Sequence, residues 1–126
     1  MKLIITAEIY KTEFLPSKEM FGLEVVKVSA RKALLGLGDI VRGSSKLPGT
    51  MLKKMSITST GGAGRVLFLL QLGKQAAVLV MVKPKNDKQI GQNMAMTNSR
   101  FKRILEKNLD SIIQDLSRSN FREFIL

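Results

Sequence analysis

The chain has no cysteine, no histidine and no tryptophan, a single tyrosine, and only 10 acidic residues among 126. Each absence closes off chemistry. Without cysteine there is no disulfide framework, no thiolate zinc site and no cysteine nucleophile. Without histidine the usual imidazole base and nearly all transition-metal sites go too, so neither metal nor cofactor is expected. Long hydrophobic runs are also missing. The longest, Ala76–Val82, falls far short of the ~20 residues that span a bilayer. The start, Met1–Ile5, has one positive charge, and Glu8 interrupts any extension toward the roughly 7–15 apolar residues of a secretory signal. A cytoplasmic location with no membrane role is therefore expected. What is present is 44% apolar residues, too many for a disordered basic tail, and 21 Lys and Arg giving a formal charge of +11. A single domain over 1–126 is expected, with an anionic partner: nucleic acid, ribosome, membrane surface or acidic protein.

The charge is not spread evenly. Residues 40–98 carry nine bases (Arg42, Lys46, Lys53, Lys54, Arg65, Lys74, Lys83, Lys85 and Lys88) against one acid, Asp87. The flanking segments are nearly balanced. A solvated basic face would look this way. So would a site for an anionic polymer, because the same segment is rich in strand signals, and strands set side chains at regular intervals along a surface.

Residues 2–9 read as a first strand. Pro16-Ser17 offers a helix start with Ser17 as N-cap, and the region from Lys18 to about Val41 reads as two short helices. Gly43–Gly49 is a loop. A three-strand meander follows: Thr50–Thr60, a turn at Gly61–Gly64, Arg65–Leu72, a tight hairpin at Gly73-Lys74, and Gln75–Lys83. The last of these is almost wholly apolar and should be central, covered on both faces. Residues 84–96 look like loop. Phe101, Ile104, Leu105, Leu109, Ile112, Ile113 and Leu116 form one helical stripe, capped by Thr97 or Asn98, within a C-terminal helix over 96–118. The tail, 119–126, either docks back or meets a partner. The order reads as α+β: a small, twisted antiparallel sheet of mixed edge, N-terminal helices on one face, and a C-terminal helix.

The stretch Lys46–Ile57, the glycine turn before Arg65-Val66-Leu67-Phe68, and the hairpin ending Val82-Lys83-Pro84-Lys85-Asn86-Asp87 together resemble the RelE/ParE superfamily of bacterial toxins. The pattern is closest to its HigB/RelE-type branch. The match is clearest over residues 46–88. The resemblance implies a RelE-like fold, a bacterial cytoplasmic protein, and the toxin of a type II toxin–antitoxin system. It implies a ribosome-dependent mRNA endonuclease that inhibits translation, or, as in the ParE type, a DNA gyrase inhibitor. The partners it implies are a small antitoxin with an acidic surface, the ribosome and mRNA, with DNA contacted only through the antitoxin. A basic RNA-binding module without catalysis is the third alternative.

RNA transesterification needs a base for the 2′-hydroxyl, cations for the pentacovalent phosphorus and an acid for the leaving oxygen. Without histidine, lysine and arginine must serve, and crowded positive charge can depress a lysine pKa. Lys54 is the first candidate. Strand parity sets Lys54, Ser56 and Thr58 on one face and Lys53, Met55 and Ile57 on the other, so Lys54 points outward. The family pattern implies a second basic residue two positions on, where this chain has Ser56. Arg65 matches the family arginine, with phosphate binding as its implied role. Lys83 and Lys85 stand where the family has a basic residue at a strand end, and Pro84 between them leaves the register open. Arg42, Lys46, Lys53, Lys74 and Lys88 read as phosphate-tracking charge. For each, an ordinary solvated cation is the alternative. Phe68 should be core. Many relatives of the RelE type use a tyrosine near the C-terminus, whereas the one tyrosine here is Tyr10. Gly61, Gly62 and Gly64 lack the Lys-Ser/Thr and helix of a nucleotide loop.

Overall fold

The computed structural model describes residues 1–41, 48–88, 90 and 94–126. Strand β1 (Lys2–Thr6) leads into a helix over residues 7–17 (α1), then α2 (Leu23–Leu34) and a two-residue strand β2 (Asp39–Ile40). The meander follows as β3 (Thr50–Ser59), β4 (Gly62–Gln71) and β5 (Ala76–Pro84). Helix α3 (Ser99–Ser117) and strand β6 (Phe121–Ile125) complete the chain. The fold is α+β, with one six-stranded mixed sheet in the order β2-β3-β4-β5-β1-β6.

The apolar run behaves as its composition requires. Ala76–Val82 is 0–1% exposed, and β5 lies between β4 and β1. Burial of both side-chain parities means that cover lies on both faces. Helix α2 packs on β3, β4 and β5, while α3 packs on β5, β1 and α1. The entry to α2 is set by Phe21. Gly64 leaves room for that ring, and a Cβ at Gly64 would also come within 2.7 Å of the Lys83 carbonyl. Asn98 caps α3 by accepting from the Arg100 and Phe101 amides, at 3.1 and 3.4 Å. Of residues 84–96, expected as loop, Pro84 ends β5, and the described residues beyond it form no helix or strand but bury Ile90 and Met94.

Several boundaries differ from expectation for identifiable reasons. The chain from Ala7 is helical, not strand, and Ser17 ends a helix instead of capping one. A π-helical turn, Tyr10–Phe14, sits between α turns Ala7–Ile9 and Leu15–Ser17. The extra residue of such a turn breaks the 3.6-residue stripe by which a helix is read. Gly62–Gly64 belong to β4, because Ser59 pairs with Gly62 and the turn is only Thr60-Gly61. The second turn is a 3-10 turn, Leu72–Lys74, with Gln75 left-handed at φ 48°. The tail docks back: β6 pairs antiparallel with β1 over its whole length. That puts the one parallel pair among the described residues, β1 with β5, inside the sheet and not at its edge.

β1 runs beside β5 only as far as Ile4 opposite Val78. Beyond that point side chains take over the β5 edge. The Val82 amide donates to Glu13 Oε1 (3.0 Å), Asn108 Nδ2 donates to the Val80 carbonyl (2.9 Å), and Ser17 Oγ donates to the Val82 carbonyl (3.4 Å). Three helical residues thus replace a missing strand. Asn108→Ala should leave the buried Val80 carbonyl unpaired and lower stability by about 1–3 kcal/mol in urea denaturation. Ser111→Ala, whose hydroxyl bonds only within α3, should change it by less than about 0.5 kcal/mol.

Candidate nucleic-acid interface

The ladders bring three of the four proposed catalytic cations together. Ser56 pairs with Arg65 across β3 and β4, and Arg65 pairs with Lys83 across β4 and β5. Directly opposed antiparallel residues point the same way, with Cβ atoms about 4.5–5.5 Å apart. Ser56, Arg65 and Lys83 therefore form one row across three strands. Lys54, whose partner is Leu67, stands on the same face at the diagonal position, about 7–8 Å from Arg65. The register left open by Pro84 depends on a β-bulge: Leu67 faces Met81 but Phe68 faces Leu79, which leaves Val80 unpaired. The extra residue restores Met81 and Lys83 to the Arg65 face.

Exposure follows parity at this end of the sheet. Ser56 and Thr58 are exposed, Lys54 and Arg65 are half-buried, and Met55 and Ile57 are buried. Further along the same face Leu52, Leu67, Leu69 and Met81 are covered, so the cations mark where the core opens to solvent. Asp39 on β2 lies opposite Lys54 in the ladder.

The other candidates lie elsewhere. Lys53 is on the Met55 face and only 7% exposed, so it does not share this surface. Lys85 is exposed one step beyond β5; its amide donates to the Ala63 carbonyl at 2.9 Å, and it borders a separate small groove with Met20 and Gly61–Ala63. Lys74 sits in the 3-10 turn at the far end of β4, about 20 Å from Arg65 by strand rise. Lys88 is exposed beyond β5. Arg42 and Lys46 lie outside the described residues. Phe68 is fully buried. Tyr10 is engaged by Arg122, whose guanidinium carbon lies 4.5 Å from the ring centroid. Among the described residues no group of three or more acidic side chains could hold a metal.

Two participants escaped the reading of the residues. Lys83 Nζ is 3.4 Å from Glu13 Oε2, and the Glu13 side chain is nearly enclosed. Asn108 Nδ2 reaches the same oxygen at 3.5 Å. Glu13 follows Ile9 by four residues, and Asn108 lies between Leu105 and Ile112 on the α3 stripe, so both are polar residues in apolar positions. That misplacement is the available signal. Lys83 is thus a cation held by a buried carboxylate, which leaves Lys54 and Arg65 as the outward part of the site. With a hydroxyl at Ser56 between them, they can grip a phosphodiester.

No protein-family model matches the chain, and no curated protein matches it at a significant level.

Burial raises the Glu13 carboxyl above its ordinary range, while Lys83, the Val82 amide and Asn108 pull it back part of the way. The folded protein therefore keeps this proton to higher pH than the unfolded chain does. Its stabilising contribution is complete below the unfolded carboxyl pKa and declines as pH rises through the folded value. Glu13→Gln cannot titrate. The stability of the native protein minus that of E13Q should fall between pH 4 and pH 7, by no more than about 1.4 kcal/mol per pH unit. A difference that grows with pH in urea denaturation would mean the carboxyl is lowered instead.

Proposed function

We propose that this protein is the toxin of a type II toxin–antitoxin pair, an endoribonuclease that takes messenger RNA on the ribosome across the Lys54–Ser56–Arg65 face. The observation that carries the reading is the register: it sets Lys54 and Arg65, two outward cations of the most basic segment, on one face with Ser56 where the sheet opens. The resemblance of residues 46–88 supplies the reaction class. In that reaction the 2′-oxygen attacks phosphorus as its proton leaves to a base, the bond to the 5′-oxygen breaks, and that oxygen takes up a proton. Arg65 has the planar fork suited to the phosphoryl oxygens. Lys54 is the group placed to manage a proton beside it. Lys83, tied to Glu13, holds the row in place. The antitoxin is a small protein of acidic surface that neutralises this face.

RNA binding without cleavage is a second reading. It is favoured by the hydroxyl at Ser56, where the family pattern implies a base, and by the ion pair that occupies Lys83.

Expression should arrest growth, and the purified protein should cut messenger RNA on translating ribosomes. Lys54→Ala with Arg65→Ala should lower cleavage by at least about 10²–10³-fold and reduce the salt dependence of single-stranded RNA binding by about 1.4 in log–log slope. Unchanged cleavage by the double variant would overturn the site. Salt-sensitive RNA binding by a native protein that never cuts would favour the second reading.

A further inference from the structure

Helix α2 carries Glu24, Val28 and Lys32 at four-residue intervals, with Val25 and Ser29 beside them, so these five share one side of the helix. That side faces Met55–Thr58 of β3 across a groove of about 330 Å³. Residues of both strand parities line the groove, which sets it beside the strand and not over one face of the sheet. Two features mark it as a binding site. Val28 is 53% exposed in the helix wall. The Ser29 hydroxyl is buried without a hydrogen-bond partner. A serine hydroxyl turns among three staggered wells, so it can serve a polar group placed in the groove.

The charged residues in the lining are one acid, Glu24, and one base, Lys32. Outside it, Lys27 lies 3.7 Å from Glu24, and Asp39 stands opposite Lys54 in the ladder. The walls therefore carry no excess charge to draw in an anion. They suit a neutral group with apolar faces and polar edges. Ser56 connects this groove to the phosphate face: it lines the one and is the ladder partner of Arg65 on the other. In a nucleotide one ribose joins the phosphate to a neutral, flat base. We infer that the groove holds one purine base of the bound RNA, splayed from the strand and turned over the β3 edge. Proteins read single-stranded RNA through bases splayed in this way. Val25, Val28 and Ile57 cover the ring faces, and the Met55 thioether suits an aromatic ring. The polar edge of the base meets the Ser29 hydroxyl and the Glu24 carboxylate. Two fused rings cover more of the apolar wall than one ring does, which sets the preference for a purine. The inference rests on the proposed RNA face, and it makes Val28 and Ser29 residues that determine specificity.

Hexaadenylate, hexauridylate and an abasic ribose-phosphate hexamer, each titrated into the isotopically labelled full chain, test this by NMR. All three should move the amides of Lys54 and Arg65. Hexaadenylate should also move those of Val28, Ser29 and Ile57, and should bind at least about tenfold more tightly than the abasic hexamer. Val28→Ser, at an exposed helix position, and Ser29→Ala should each weaken hexaadenylate by at least about threefold and leave the abasic hexamer unchanged. Shifts at Lys54 and Arg65 from all three hexamers, with Val28 and Ser29 silent, would overturn the base site and leave the phosphate face standing. Groove shifts from hexaadenylate without any at Lys54 and Arg65 would overturn the phosphate face and keep the base site. Equal affinity and equal groove shifts from hexauridylate would overturn the assignment of a purine.

Discussion

Where β1 turns away from β5 after Ile4, a central strand of the sheet is left with buried main-chain groups and no neighbour to pair with them. Leaving such groups unpaired in a low-dielectric interior costs more than almost any single contact returns. Glu13, Ser17 and Asn108 meet this demand from two helices. The position of α1 against β5, the π-helical turn that carries Glu13, and the polar residue inside the α3 stripe all answer to the same short stretch of edge.

That solution creates a second demand. A carboxylate brought into the core needs a cation, and Lys83 supplies one from the residue after Val82, whose amide Glu13 accepts. Through the bulge at Val80, Lys83 is also the ladder partner of Arg65. The cation row on the sheet face is therefore anchored at one end in the core and open at the other. Lys83 is better understood as the fixed end of the row, with Arg65 and Lys54 as its working end.

Much of this architecture is readable from the residues. The seven apolar residues from Ala76 predict a central strand, and the Phe101–Leu116 stripe predicts the last helix. The alternation in β3 predicts which side chains face out. The same alternation predicts that Lys53 lies with Met55 and Ile57, so its burial follows from the parity that exposes Lys54. Helix α1 was hidden because a π turn shifts the stripe and because Glu13 occupies an apolar position. The docking of β6 on β1, and the bulge that aligns Lys83 with Arg65, depend on pairings between residues far apart in the chain. Local patterns do not encode such registers. Glu13 and Asn108 show only as polar residues out of place, a signal that becomes a role once the β5 edge is in view.

The central claim is that RNA meets the protein on the sheet face of Lys54, Ser56 and Arg65. The exposed first turns of α3 offer a rival basic surface, with Arg100, Lys102 and Arg103. An amide hydrogen-exchange footprint of a short single-stranded RNA on the full chain, taken at physiological salt, separates the two. Protection centred on Lys54–Ser56 and on Arg65, with α3 unchanged, is the result this account requires. Protection centred on residues 100–103, with β3 and β4 unchanged, would contradict it.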